Sequence, residues 1–406
     1  MLMLFILPSK VFSELELHIS KSAGDGIPIL IAPISRGFNR IIDADLKRSG
    51  RFTSIYLKKG TILPAFGVRL SPTILQSIKA EYIVRGRVSK AGLDVELIDT
   101  STGTPVASYR IANVANQRRM AHKAADKIFE RITRLKGAFD TRLAYVTATG
   151  RRQNKHYRLY IADSDGYNPH IILNSDQPIM SPSWSPNGSQ LAYVSFESGK
   201  SAIYIQNIFT GKKRMVSGHK GINGAPTWSR NGSQIAMSLS IDGNSEIYLL
   251  SVHNGVLKRL TNNRAIDTEP AWSGDGRSIV FTSDRGGSAQ LYKIPAYGGK
   301  AKRMTFIGNY NSAADIVGNK IALVRRNGGQ FRIAIMQMGG AGADIISNGQ
   351  YDESPSLAPN GTMIAYATQR KGRGKLVVVS DNGKSKQELH APKGEVREPA
   401  WSPYIR

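Results

Sequence analysis

The chain predicts an α/β N-terminal domain at residues 14–136, followed by an all-β six-bladed β-propeller at residues 140–406 that is closed by the C-terminal strand. Three observations carry this expectation. First, the turn motif Pro182-Ser183-Trp184-Ser185-Pro186-Asn187-Gly188 returns as Pro226-Thr227-Trp228-Ser229-Arg230-Asn231-Gly232 and as Pro270-Ala271-Trp272-Ser273-Gly274-Asp275-Gly276. Its tryptophans are 44 residues apart, the period of a four-stranded blade. Second, each copy precedes a short apolar run, at 191–194, 235–237 and 279–281. Third, Leu143-Ala144-Tyr145-Val146 has no motif before it, whereas Pro399-Ala400-Trp401-Ser402-Pro403 has no run after it. Placing these two side by side completes one blade and removes a sheet edge that would template aggregation.

Taken in order, residues 1–8 are apolar but too few to span a bilayer. Without a basic stretch before them, they read either as the end of a secretory h-region, and so as part of a signal peptide, or as a first strand or disordered end. Residues 14–20 alternate as a strand does, and 27–34 read as a buried strand. Residues 38–49 carry helical spacing through Ile41, Ile42 and Leu46. Strands at 82–88 and 93–97 flank a turn at Lys90, Ala91 and Gly92, and a further strand is expected at 105–111. A helix at 116–135 places Ala121, Ala124, Ile128 and Ile132 on one side. Mixed strands and helices of this kind form a small α/β sandwich.

In the repeat region the fourth motif is expected at 311–320, with Ala314 in the tryptophan position and Gly318 at the turn. The fifth has Leu357 and Gly361, and the sixth has Trp401. Trp184, Trp228, Trp272 and Trp401 supply broad apolar plates between blades. Gly188, Gly232, Gly276 and Gly361 follow Asn or Asp and supply the positive φ of a tight turn.

With no cysteine, the chain has no disulfide, thiol nucleophile or thiolate metal site. It lacks HExxH, a G-x-S-x-G elbow, a P-loop and a Rossmann fingerprint. A motif repeated in every blade serves structure, because a catalytic group is needed only once. No enzyme activity, cofactor or metal is therefore expected. Asp163-Ser164-Asp165-Gly166 looks like the start of a calcium loop but lacks the later glutamate, and reads as a turn. His156, His170, His219 and His253 lie outside apolar runs, as surface residues do. The net charge of +25 would attract nucleic acid, anionic lipid or an acidic protein. This keeps a basic nucleic-acid or anionic-polymer binding module as the alternative function. No zinc finger, RNP motif or long basic helix focuses that charge.

The tryptophan-turn repeats, the Ile-Ala-Tyr-like runs, Lys258-Arg259-Leu260-Thr261 and the preceding α/β domain together resemble the TolB family, periplasmic propeller proteins of the bacterial Tol–Pal system. The resemblance implies a non-enzymatic periplasmic scaffold that supports outer-membrane integrity and cell division. It implies binding of Pal at the propeller and of TolA at the N-terminal segment, possible contact with other envelope proteins, only peripheral contact with membrane and no nucleic acid. Carried onto this chain, Glu14, Leu15, Glu16, Leu17, His18, Ile19 and Ser20 are the TolA-contacting candidates. His253, Arg264, Asp284 and Arg285, around the channel opening, are the Pal-contacting candidates.

Overall fold

The computed structural model describes residues 26–58, 60–114, 116–150, 154–340, 342–370 and 373–405. The expectations for residues 1–8 and 14–20 lie outside these residues.

The first unit is a five-stranded sheet in the order β2-β1-β3-β4-β5. Its strands are β1 (Ile27–Ile31), β2 (Phe52–Ile55), β3 (Tyr82–Ser89), β4 (Gly92–Asp99) and β5 (Thr104–Ala112). β1 runs parallel to β2 and β3, and β3, β4 and β5 form an antiparallel meander. Helices α1 (Phe38–Arg48) and α3 (Gln117–Thr133) bury Ile42, Leu46, Ala121, Ala124, Ile128 and Phe129 in one core. Asn116 caps α3 by accepting a hydrogen bond from the Arg119 N–H at 3.2 Å. Two elements were not anticipated. β2 has four residues with one fully buried. The helix α2 (Pro72–Ser77) has six, started by Ser71 and a proline. Neither is long enough to show a period.

Six four-stranded antiparallel sheets follow. Blade II contains Ile179–Trp184, Gln190–Ser195, Ala202–Asn207 and Lys213–Ser217, from innermost to outermost. Blade III contains Asn223–Trp228, Gln234–Leu239, Glu246–Ser251 and Leu257–Arg259. Blade IV contains Asp267–Trp272, Ser278–Ser283, Gln290–Pro295 and Lys302–Arg303. Blade V contains Asn311–Val317, Lys320–Asn327, Gln330–Gln337 and Asp344–Ile345. Blade VI contains Asp352–Leu357, Met363–Arg370, Arg373–Ser380 and Lys386–Glu388. Blade I contains Arg142–Thr149, His156–Asp163 and His170–Ser175, and its innermost strand is Glu395–Trp401. That last strand lies between the innermost strands of blades VI and II.

Every innermost strand carries the same irregularity. One residue has left-handed φ: Ser181, Ala225, Glu269, Ala313, Ser354 or Glu398, with values from 46° to 52°. The strand register shifts there, as at a β-bulge. Three residues later comes the inter-blade plate. Trp184, Trp228 and Trp272 pack against the second and third strands of the preceding blade. Leu357 does the same between blades V and VI, and Trp401 between blades VI and I.

This register corrects the reading of the fourth motif. Ala313 is its left-handed residue, so Ala314 stands where the other five blades have proline. Ile316 pairs with Ile321 as Trp272 pairs with Ile279, and it packs in the core between blades IV and V. The turn after Ile316 is two residues shorter than that after Trp272 (five positions to the paired residue against seven). Counting back from Gly318 therefore landed on the wrong residue.

The α/β unit sits on the end of the propeller that carries the tryptophan turns. Asn382 Nδ2 donates to the Gly50 carbonyl at 3.0 Å, and Asn360 Nδ2 to that of Lys136 at 2.8 Å. Arg51 pairs with Asp381 at 2.7 Å. Gly50 has φ +66°, and a Cβ there would lie 2.4 Å from Ser380 Oγ, so this docking contact requires glycine. The core of the α/β unit runs without a break into that between blades VI and I, through Phe139, Leu143, Tyr145, Met363, Val378 and Trp401.

Trp401→Ala is expected to lower unfolding free energy by roughly 3–5 kcal/mol in chemical denaturation. Because its cavity opens into the shared core, proteolysis around residues 136–140 should also become faster.

Candidate functional site

The propeller has two ends. The turn rim carries the tryptophan turns and the α/β unit. The opposite end, here called the collar rim, is built by the loops that lead from each outermost strand to the next innermost strand. Just before the innermost strands of blades III to VI, and three residues before each left-handed residue, stand Ile222, Ile266, Tyr310 and Tyr351. Ile222, Ile266 and Tyr351 are each more than half exposed, at 56%, 54% and 52%. Phe306 and Ile307 add to the same rim, at 67% and 54%. Six large apolar side chains around one channel mouth form the kind of patch that marks a protein-binding surface.

The residue after each collar position holds the loop in place. Asn223 accepts from Ser217 Oγ at 2.7 Å and the His219 N–H at 3.1 Å. Asn311 Nδ2 donates to Gln290 at 2.8 Å and to the Ile307 carbonyl at 3.0 Å. Asp352 accepts from Ser347 Oγ and from the Gly349 N–H at 2.9 Å. Asp267, fully buried, is held by Arg285 through contacts of 2.6 and 2.9 Å. Burial raises the Asp267 pKa, opposed by Ser283 and by that guanidinium. Fixed loops limit the ordering cost of binding.

Three of the four Pal-contacting candidates meet here. Asp284 Oδ1 accepts from the Ile266 N–H at 2.8 Å, so it positions a collar residue. Arg285 is engaged with Asp267 and lies over the Tyr292 ring at 4.9 Å. Arg264 is exposed in the same loop as Ile266. His253 is not brought together with them. It lies in the turn between the third and fourth strands of blade III, where the Val252 N–H donates to the Ser233 carbonyl. That is the turn rim, at the other end of the blade. The structural set is as expected in position: Trp184, Trp228, Trp272 and Trp401 are buried. Gly188, Gly232, Gly276 and Gly361 have φ between 68° and 73°.

The innermost strands and the tryptophan turns line a cavity of about 620 Å³, bounded also by Arg230, Glu269, Asp315 and Glu398. Its carboxylates join neighbouring blades. Glu398 accepts from the Ser181 N–H, Glu269 from the Ala313 N–H at 2.9 Å and Asp315 from the Leu357 N–H at 2.6 Å. Burial pushes Glu398 and Asp315 above the ordinary carboxylate range. The tryptophans add polar ties beyond their apolar faces: Trp184 Nε1 donates to the Ala400 carbonyl at 3.0 Å, and Trp272 Nε1 to that of Thr227 at 3.2 Å.

A second cluster lies where α1 and α3 meet blade I. Asp45, His122 and Asp165 bring three possible metal ligands within 4.8 Å of one another. Arginines already neutralise both carboxylates: Arg48 pairs with Asp45 at 2.7 Å, and Arg118 pairs with Asp165. His122 Nδ1 is 2.6 Å from Asp45, and Nε2 is 3.6 Å from Asp165. Burial opposes a charge on His122, but Asp45 and Asp165 outweigh it and raise its pKa. With both carboxylates engaged by arginines, the cluster is a polar seam between units rather than a cation cage. Nearby, burial pushes Asp126 to about 7, although it accepts from the Phe139 and Asp140 N–H groups at 2.7 and 3.0 Å.

Sequence reasoning missed both the collar and the seam. The collar had a signal: an apolar residue directly before the Asn or Asp that opens the innermost strand of blades III to VI. The seam had none, since its members are far apart in the chain.

Comparison with known proteins agrees with this geometry. Residues 129–405 match the family model described as the TolB beta propeller domain. The Tol-Pal system protein TolB of Xanthomonas oryzae pv. oryzae is 49% identical, with 99% of this chain and 97% of that protein covered. The protein of that name from Xanthomonas euvesicatoria pv. vesicatoria is 50% identical over 96% of this chain and 93% of its own length. The crystal structure of TolB from Acinetobacter baumannii superposes with a TM-score of 0.87 at 37% identity, covering 94% of this chain and 98% of that one.

Between pH 5 and 8, His122 and Asp126 make stability depend on pH in one direction. His122 has a raised folded pKa, so its contribution is complete below its ordinary value and is lost as pH rises through the folded one. Asp126 stays protonated in the folded chain up to about 7 but ionises much earlier when unfolded, so it too costs stability as pH rises toward 7. Denaturation from pH 5 to 8 should show falling stability, at most roughly 1.4 kcal/mol per pH unit for each group. Asp126→Asn should flatten the part between pH 5 and 7. A slope parallel to that of the unchanged chain would remove Asp126 as its source.

Proposed function

The chain belongs to the TolB family, and from that premise we propose that it docks Pal on the collar rim and TolA on the segment 14–20. It is a non-enzymatic periplasmic scaffold of the Tol–Pal system, the machinery that supports outer-membrane integrity and cell division. The observation that carries the Pal assignment is the apolar collar: Ile222, Ile266, Tyr310 and Tyr351 stand on braced loops at the end that the α/β unit leaves open. Arg264, Asp284 and Arg285 belong to this surface, Arg264 as a contact and the other two by positioning Ile266 and its loop. His253 is left out of it because it lies at the turn rim.

In the same reading the chain divides into 14–136 and 140–406, and Glu395–Trp401 is the clasp that closes the ring. Support for the clasp is its antiparallel pairing with Arg142–Thr149. Further support comes from the Trp401 Nε1 bond to Thr141 Oγ1 at 2.8 Å. Glu14, Leu15, Glu16, Leu17, His18, Ile19 and Ser20 provide a short alternating strand suited to β-augmentation by TolA.

Calorimetric titration with purified Pal and TolA tests both sites. Ile266→Glu should weaken Pal binding at least about tenfold, as burial of a charge in an interface core does, and leave TolA binding intact. Deleting residues 14–20 should abolish TolA binding and leave Pal binding intact. Unchanged Pal affinity in Ile266→Glu would remove the collar as its site.

A further inference from the structure

We propose that the turn rim of blades II–IV docks on the surface of an anionic phospholipid bilayer. Three rings stand at one position in three successive blades. Phe209, His253 and Tyr297 each lie two residues beyond the end of the third strand. Phe209 and Tyr297 are 69% and 81% exposed, and His253 is exposed as well.

Cations alternate with these rings along the rim. Arg214, on the outermost strand of blade II, donates to the Val252 carbonyl beside His253 at 3.1 Å. Lys258, on that of blade III, donates to the Tyr297 carbonyl at 2.7 Å. Each basic side chain thus braces the next aromatic tip while adding charge beside it. Lys212, Lys300 and Lys302 are exposed in the same turns and strands. Glu197 pairs with Lys213 at 2.7 Å, so that lysine is not counted among them. The α/β unit rests on blades I and VI at this end, through Ser164, Asn360 and Asn382.

A polyanion without rings to stack, such as heparin, is held mainly by cations. A bilayer surface uses both: its anionic headgroups attract the lysines and arginines, and amphipathic rings settle at headgroup depth. The alternation of rings and cations therefore favours lipid over a soluble polymer. The periplasmic setting excludes nucleic acid as the ordinary partner. The surface is also separate from the collar, at the other end of the propeller.

Vesicle co-sedimentation of the full chain tests this, with vesicles of phosphatidylcholine alone and of phosphatidylcholine mixed with phosphatidylglycerol. Heparin affinity serves as the soluble polyanion control, and thermal melts confirm that each variant is folded. The chain should bind only the mixed vesicles, with affinity falling as salt rises. The triple variant Lys212→Glu, Lys300→Glu, Lys302→Glu should lose about tenfold or more. The double variant Phe209→Ser, Tyr297→Ser should weaken vesicle binding and leave heparin affinity unchanged, and Ile266→Glu should bind vesicles normally. No binding to the mixed vesicles would overturn the proposal. So would full vesicle binding by the Phe209/Tyr297 variant, which would make the rim a general polyanion surface.

Discussion

Glu395–Trp401 paired with Arg142–Thr149 is the contact on which the remaining architecture rests. It joins residues about 260 positions apart, as in the bond from Trp401 to Thr141, so its chain entropy must be offset by what forms around it. That compensation is local and large. Trp401 enters a core formed by blade VI, blade I and both long helices of the α/β unit. The other five inter-blade cores are each shared by two blades alone. The joint between last and first blades is thus also the joint between propeller and α/β unit.

The inner ring explains how a repetitive scaffold offers two unlike ends. At the left-handed residue each innermost strand shifts register. Toward the turn rim it continues as Pro-x-plate, or Ala-x-plate in blade V, and the plates tie blades together by apolar contact and, in blades II and IV, indole hydrogen bonds. Toward the collar rim lies a buried Asn or Asp that fixes a loop, with an apolar side chain directly before it in blades III to VI. One end is committed to assembly and the other to presentation. At the turn rim the α/β unit rests on blades I and VI, and the exposed tips of blades II–IV carry rings and cations.

Much of this was legible because repeats reveal themselves by period. The tryptophans, the turn glycines, the alanine-centred second strands and the pairing of the last motif with the first run all follow from a spacing near 44 residues. The two long helices were legible from the apolar spacing of Ile42 and Leu46 and of Ala121, Ala124 and Ile128. Other features were not, beyond the short β2 and α2. Ile316 was hidden because the blade V turn is shortened, and a fixed offset from Gly318 fell on Ala314. His253 and Arg264 were both expected around the channel opening from their place in the blade, yet an outermost strand carries the chain from one rim to the other between them. The seam of Asp45, Arg48, His122 and Asp165 is assembled from α1, α3 and blade I, and only the tertiary fold brings these together.

The central claim is that the pairing of Glu395–Trp401 with Arg142–Thr149 also holds the α/β unit in place. Amide hydrogen exchange on the full chain and on a chain ending at residue 394 tests it most directly. The account predicts that truncation removes protection together from Arg142–Thr149, Met363–Arg370 and α3, while blades III and IV retain it. Continued protection of Arg142–Thr149 and α3 in the truncated chain would contradict it.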